Sequence, residues 1–342
     1  MRRAQVQVQF TWIFSLFAGA LILLFFITFI LRQKDVSERG LSAEVSAKLD
    51  AVLTLAQSSL QTSNNVTIPG DLGFDCTGFV YGGARRPYGN ALVFAPGLIQ
   101  GKLLITYADG WDVPYRASNL LYLTSPRVRY IFLNNSETVH SLFEAMPDAA
   151  TKQSVEWNIT LMASIMPRND DYVRIILGAS SSTLPSYLPG LDALSPEEVG
   201  VLGVSRSVSE TDAFTVTFYT RNPGAPVMYS PGEVFGVVGE EMALAAVYSS
   251  AELFNCTYSR ALDHLEHITA VYYQRSRDLL ASYRGPGTCA QLYGAAGSSL
   301  SAIRREAQRP PTLMSAEAIA ANMTALADAN QRLKLFSCPT VY

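Results

Sequence analysis

Charged residues are scarce in this chain. They make up 16% of its 342 residues, and 26 Lys and Arg nearly balance 29 Asp and Glu, for a formal net charge of −3. No cationic excess is left to neutralise a phosphate backbone, which argues against a nucleic-acid partner. Low charge combined with 49% hydrophobic residues excludes a disordered chain. The length allows one large or two ordinary domains with a buried core.

Histidine is rarer still, with three residues, and the common catalytic motifs are missing. The sequence contains no G-x-S-x-G, S-x-x-K, H-E-x-x-H or P-loop pattern. His264 and His267 are spaced to share one helix face, but a metal would need a further ligand, and a solvated helix flank is the favoured explanation of the pair. The sequence therefore names no catalytic residue, metal site or cofactor, and it favours a protein that is not an enzyme.

Cysteine is limited to four residues, Cys76, Cys256, Cys289 and Cys338, and none forms a C-x-x-C pair. An even number fits two disulfide bonds in an oxidising environment, although four buried thiols are the alternative. A continuous helix over 258–283 would be ~39 Å long, and the few residues after it cannot return the chain to Cys256. That geometry favours the pairs Cys289–Cys338 and Cys76–Cys256 among the three connectivities.

One long run, Phe10–Leu31, contains no charged residue. As a helix it would span ~30 Å, the thickness of a bilayer core. A cleaved signal peptide fits less well, because the run is long and its A-x-A match lies in the middle. We therefore expect a single-pass cell-membrane protein with a cytoplasmic N-terminus, an extracellular body and the lipid bilayer as partner. Five downstream N-x-[ST] sequons predict a glycoprotein, with acceptors Asn65, Asn134, Asn158, Asn255 and Asn322.

The residues before this run, Arg2-Arg3-Ala4-Gln5-Val6, resemble an archaeal class III, or prepilin-type, signal peptide. The resemblance covers about the first thirty residues. It implies cleavage between Ala4 and Gln5, an apolar segment that stays on the mature protein, and like subunits or envelope proteins as partners. The chain departs from many bacterial pilins at Gln9, where they carry a glutamate. An uncut signal anchor is the alternative.

The remaining pattern predicts an α/β fold: an N-terminal transmembrane helix and stalk helix, a mixed β-sheet body and a C-terminal helical segment. Short β-rich runs such as Val128–Leu133 and Val173–Leu177 predict buried strands, and Glu137–Ala145 and Glu240–Ala251 predict helices. The predicted units are a cytoplasmic leader at 1–9, a membrane helix at 10–31, a stalk helix at 32–63, a loop at 64–73, a body at 74–251 and a helical segment at 252–342, with helices over 258–283, 289–307 and 315–336 and Ser315 as an N-cap.

A polar and aromatic segment, Asp109–Arg116, follows a predicted strand. Its aromatic rings offer rigid contact area and its arginine can bind a carboxylate, so it is a candidate binding loop. The favoured interpretation is a turn whose rings pack on the core. The residues concerned are Asp109, Trp111, Asp112, Tyr115 and Arg116.

Three functions compete. The first is a non-enzymatic, membrane-anchored surface protein, either pilin-like or a structural or binding component of an archaeal envelope. The second is a type II membrane glycosyltransferase, which the absence of a D-x-D metal motif disfavours, the nearest approach being Asn169–Asp171. The third is an anchored solute-binding protein, which would need a cleft between two lobes.

Overall fold

The computed structural model describes residues 15–30, 32–33, 44–45, 47–51, 54, 62–68, 70–156, 172–178, 198–209, 211–221, 229–283 and 287–342. Five helices are bounded within them: α1 Glu137–Ala145, α2 Glu240–Tyr248, α3 Ala251–Ser282, α4 Thr288–Ala307 and α5 Leu313–Leu335. The strands are β1 Thr62–Thr67, β2 Leu72–Phe74, β3 Gly78–Tyr81, β4 Ala84–Pro87, β5 Leu92–Phe94, β6 Leu98–Ile99, β7 Leu103–Asp112, β8 Arg116–Thr124, β9 Val128–Asn134, β10 Thr151–Glu156, β11 Tyr172–Gly178, β12 Val199–Arg206, β13 Ala213–Arg221 and β14 Tyr229–Val238.

The largest sheet is six-stranded, in the order β10-β9-β11-β12-β13-β14. Its first four strands are parallel, and β13 and β14 continue it in antiparallel fashion. Along β9, Tyr130 and Phe132 enter one buried cluster, whereas Ile131 and Leu133 enter another on the opposite face. A parallel strand that is buried on both faces needs such a continuous apolar run, which is why this strand was evident from the sequence.

Two four-stranded sheets pack beside the large one, in the orders β1-β7-β8-β5 and β4-β3-β2-β6. Their shared core contains Phe79, Val93 and Leu121, and it is joined by Val45 and Leu49 from the helical residues 44–45 and 47–51. The helices α2 to α5 cover the other face of β5, β7 and β8 and one face of the large sheet, and together these elements form the main core.

Two basic side chains from strands cap the C-terminal ends of α1 and α2. Neither helix has a basic residue in its own last turn. Lys152 of β10 donates to the carbonyl oxygens of Phe143 and Met146. Arg174 of β11, only 3% exposed, donates to Ala246, Val247 and Ser249 at the end of α2. Each cation satisfies carbonyls that a helix end leaves without a partner, and it complements the negative end of the helix dipole.

The predicted membrane helix is wrong, and the predicted fold class and location are corrected with it. In the described chain, no helix is both long enough and apolar enough to cross a membrane. The helical residues 15–30 span about 24 Å at ~1.5 Å per residue, short of a ~30 Å hydrocarbon core, and 10–14 and 31 lie outside the described residues. The predicted mixture of helices and strands is confirmed. The predicted single-pass cell-membrane location, with its cytoplasmic N-terminus and extracellular body, is wrong.

Several local predictions also change. The segment 64–73 contains β1 and β2 rather than only a loop, and strand β8 follows β7 where the sequence had suggested no strand. The helix over 240–251 divides into α2 and α3, because Ser249 and Ser250 are extended and Ser250 caps α3. Helix α5 begins after Thr312, whose side chain accepts from the Ser315 N–H, so Ser315 lies inside the helix in a capping box.

Two disulfide bonds connect these elements, Cys76–Cys256 and Cys289–Cys338. This is the pairing that helix geometry favoured in the sequence. The first bond ties the β2–β3 hairpin to α3, and the second ties the start of α4 to the chain just beyond α5. Since neither pair is close in sequence, each bond closes a long loop in the unfolded chain and so lowers the conformational entropy of that chain.

Candidate functional site

The helical residues 15–30, here called the apolar helix, carry the largest exposed apolar surface among the described residues. Exposure of the large apolar side chains ranges from 46% to 66%, and they occur on every side of the helix. A helix that is apolar all round is normally buried within protein or lipid. Its large side chains are Leu16, Phe17, Leu21, Ile22, Leu23, Leu24, Phe25, Phe26, Ile27, Phe29 and Ile30.

Within the described residues, the ring contacts and hydrogen bonds of the apolar helix are internal to it. Phe25 stacks on Phe29 with ring centroids 6.3 Å apart, and the Thr28 hydroxyl donates to the Leu24 carbonyl. Back-bonding of this kind satisfies the hydroxyl of Thr28, and Ser15 is the other polar residue of the segment. The apolar surface is therefore available to another molecule.

The candidate binding loop forms the end of the β7–β8 hairpin, and its two aromatic rings are buried. Trp111 is fully buried and donates from Nε1 to the Val238 carbonyl oxygen at 2.9 Å. Tyr115, 5% exposed, shares a hydrogen bond with the Thr269 hydroxyl in α3. These rings join the hairpin to the main core, as the favoured interpretation of the sequence has it.

The charged members of the same loop remain accessible. Arg116 Nη1 lies 2.8 Å from Asp112 Oδ2 at the surface, and Arg116 Nε donates to the Asn119 side chain. Asp109 is half-buried, and its carboxylate accepts from the Gly110 N–H at 2.8 Å. The structure thus leaves three residues of the proposed loop, Asp109, Asp112 and Arg116, for contact with a ligand.

A carboxyl group in the first turn of α2, that of Glu241, lies beside this loop. Burial, together with the negative charges of Asp109, Asp212 and Asp112, raises the pKa of Glu241 to about 7. The chain bends closely around this carboxyl: Gly239 has φ +86°, and a Cβ there would lie 2.7 Å from Glu241 Oε2. Burial is the main cause of the raised pKa, and the three acids, which come from two distant parts of the chain, add to it.

The two histidines, His264 and His267, lie on α3 beside charged side chains. Burial lowers the pKa of His264, and the nearby Arg260 and His267 lower it further. The neighbouring Glu266 binds Arg304, with Oε1 2.6 Å from Nε. No group of three or more potential metal ligands converges anywhere in the described part of the chain.

The remaining predicted sites stay predictions. Asn65, Asn134 and Asn255 are exposed, as glycan acceptors must be, whereas Asn322 is half-buried and its amide donates to the Ala318 carbonyl. Asn158, the proposed cleavage residues Ala4 and Gln5, and the acidic Asn169–Asp171 segment lie outside the described residues.

Comparison with known proteins returns no relative of this chain. No protein-family model, no curated protein and no solved structure matches it. Any functional assignment must therefore come from the chain itself.

Proposed function

We propose that this protein is a non-enzymatic structural subunit that assembles with further copies of itself through the apolar helix, in the manner of a pilin-like component. The observation that carries the proposal is the exposed apolar surface on every side of residues 15–30. The body beyond it is held by three sheets, a packed set of helices and two disulfide bonds. Such a body is suited to remaining intact within an assembly.

The free energy gained by burying the apolar helix favours several partners over one. Fully burying a Leu, Ile or Phe side chain stabilises by about 1.5–3 kcal/mol, so completing the burial of these half-exposed side chains contributes on the order of 10 kcal/mol. A single flat partner covers about half of that surface, while association costs roughly 4–15 kcal/mol. Enclosure on all sides is therefore needed for a stable complex.

Identical helices are the partners best suited to enclose this segment. Residues 10–31 contain no charge, so copies meet without electrostatic repulsion. A ring or bundle of like helices covers each member on several sides, which a groove in a globular partner does not. The similarity of the first residues to prepilin-type leaders supports the same assignment, since it implies that the apolar segment stays on the mature chain.

The test is the particle mass of the full chain, purified without detergent, measured by light scattering during size exclusion. We expect a multiple of the monomer mass for the wild type and a monomer for the double variant L21E/F25E. The matched control V271E/L335E adds the same charge at body residues of similar exposure and should keep the wild-type mass. A monomeric wild type, a chain recovered only with lipid vesicles, or an assembled L21E/F25E would overturn the proposal.

A further inference from the structure

An open groove with a cavity volume of about 500 Å³ lies on the surface between α3 and α4. This volume is within the range of sites that hold ligands. We call it the α3–α4 groove, and it does not involve the apolar helix. The lining residues that matter for its chemistry are Tyr273, Arg277 and Leu280 from α3 and Gly294, Gly297 and Arg305 from α4.

Positive charge is concentrated in the part of the chain that forms this groove. The segment 270–309 contains six arginines against one aspartate and one glutamate, although the whole chain has a formal net charge of −3. Within the described residues, no carboxylate lines the groove itself. The groove therefore differs in charge from the rest of the molecule.

The ion pairs of α4 compensate its arginines only in part. Glu306, 7% exposed, binds Arg305 at 3.2 Å and Arg309 at 2.8 Å, so one carboxylate serves two guanidinium groups. Arg304 is paired separately with Glu266 of α3, at 2.6 Å. One positive charge therefore remains at this end of the groove.

The arginines of α3 leave a second positive charge. Within the described residues, Arg277 has no ion-pair or hydrogen-bond partner. The nearby Asp278 lines a different surface depression, together with Arg275, and accepts from the Gln274 side chain at 2.9 Å. Two arginines against this single acid leave Arg277 available to an anionic ligand in the groove.

Gly294 leaves space in the wall of the groove that packing within the chain does not need. No atom lies within 4 Å of the position that a Cβ at Gly294 would take, and a Cβ at Gly297 would lie 3.4 Å from Ser276 Oγ. Glycine in a helix interior is less favourable than alanine, and here no internal contact explains it. A wall without side chains at these positions allows another backbone to approach α4 closely.

The two arginines mark the ends of the groove. Ser276 Oγ donates to the Tyr293 carbonyl oxygen at 2.9 Å, so the adjacent Arg277 lies level with the first half of α4. Arg305 lies about 18 Å beyond Tyr293 along the helix, at ~1.5 Å per residue. Carboxylates eleven positions apart on one face of a helix are separated by a similar distance, about 16 Å.

We propose that the α3–α4 groove binds an acidic helix of another protein, whose carboxylates pair with Arg277 and Arg305 and whose small residues pack over Gly294. The half-buried Tyr273 and the exposed Leu280 supply apolar contacts beside the ion pairs. Charge complementarity selects this partner, because a second copy docked through the same face would oppose arginine to arginine. The site does not depend on the assembly proposed above.

The experiment is fluorescence anisotropy of a labelled, alanine-rich helical peptide of about 20 residues, titrated with the full chain. The peptide carries two glutamates eleven positions apart, with alanines on the face between them, and a matched peptide carries glutamines instead. We expect saturable binding of the acidic peptide, about tenfold tighter than that of the neutral one and weakened by added salt.

Variants of the groove separate the contributions of charge and shape. R277E and R305E should each weaken binding of the acidic peptide by about tenfold, because attraction becomes repulsion, and leave binding of the neutral peptide unchanged. R332E alters an exposed arginine on α5 and is the matched control. G294L should block both peptides, whereas A295L, at an exposed neighbour outside the groove, should not.

The thermal unfolding midpoint of each variant should match that of the wild type, which shows that binding rather than folding has changed. Equal affinity for the two peptides, or undiminished binding by both R277E and R305E, would contradict the proposal. Binding of phosphatidylglycerol vesicles in place of the peptide would assign the groove to a lipid surface and overturn it. A smaller particle mass for R277E would identify the groove as a contact between copies and would also overturn it.

Discussion

Arg174 Nη2 donates to the carbonyl oxygen of Ala246 at 3.0 Å, so a residue near the start of a parallel strand caps a helix 72 positions later in the chain. The same guanidinium also reaches Val247 and Ser249. This single side chain therefore fixes α2 on the large sheet, and α2 in turn presents Glu241 to the β7–β8 hairpin.

Replacing Arg174 by glutamine should lower the free energy of unfolding by about 3 kcal/mol, because three buried carbonyl groups lose their donor. Urea denaturation measures this quantity. The control is R332Q, which removes only an exposed i,i+4 pair with Asp328 and should cost less than about 0.5 kcal/mol. Equal stabilities of the two variants would show that Arg174 does not cap α2.

The hairpin that carries the candidate binding loop makes a second prediction. W111F removes the hydrogen bond to Val238 and part of a fully buried ring, so it should destabilise the fold by about 2 kcal/mol. D112N changes only an exposed ion pair and should leave stability within about 0.5 kcal/mol. Thermal unfolding compares the two. A W111F protein as stable as D112N would mean that the ring does not hold the hairpin to the core.

The disulfide bonds predict a pattern of linked peptides. Non-reducing digestion followed by mass spectrometry should recover the Cys76–Cys256 and Cys289–Cys338 pairs. Recovery of a Cys76–Cys289 or Cys256–Cys338 peptide would contradict this connectivity.

The energetic effect of the two bonds should differ. They close loops of 180 and 49 residues, and chain-entropy arguments give about 5 and about 4 kcal/mol for loops of those sizes. Pairwise replacement by serine should therefore destabilise the protein more for Cys76–Cys256 than for Cys289–Cys338. Chemical denaturation of the two serine variants measures the difference, and the reverse order would contradict the loop-length argument.

Glu241 predicts a pH dependence near neutrality. Because the pKa is raised from 4.5 to about 7 in the folded state, the fold binds this proton more tightly than the unfolded chain does. The contribution of Glu241 is therefore complete below about pH 4.5 and declines as the pH rises through 7. Allowing for partial exposure, the decline amounts to about 2 kcal/mol.

The E241Q variant isolates that contribution. Its stability should change less than that of the wild type between pH 5 and pH 8, because an amide does not titrate. E233Q alters an exposed glutamate on β14 and should retain the wild-type profile. Parallel profiles for the wild type and E241Q would rule out a raised pKa at this position.

Much of the large sheet was predictable from sequence, for a physical reason. Strands β9 and β11 are buried on both faces, so they consist mostly of apolar residues, with one arginine in each, a pattern unlike that of an amphipathic helix. Helix α1 was predicted with the bounds that it has, and Ser136 caps it. By contrast, β1 is a largely exposed edge strand of sequence TSNNVT, and polar residues of this kind are typical of loops.

The candidate sites were less predictable, because each is assembled from distant parts of the chain. The environment of Glu241, for example, depends on Asp109 and Asp212, more than one hundred positions apart. No local pattern marks such sites. The apolar helix was evident in the sequence as a run of apolar residues. The length of the helix in the described residues was not evident, and the membrane prediction depended on that length.

The measurement that most directly tests the assembly is photo-crosslinking in the full chain. A benzophenone amino acid replaces Phe25 in the apolar helix, and in a second protein it replaces Val271 on the body, two positions of nearly equal exposure. We predict that irradiation of the Phe25 protein yields a ladder of covalent multimers linked to residues 15–30 of another copy, and that the Val271 protein yields none. A Phe25 protein that remains monomeric, or that crosslinks only to its own body, would contradict assembly through the apolar helix.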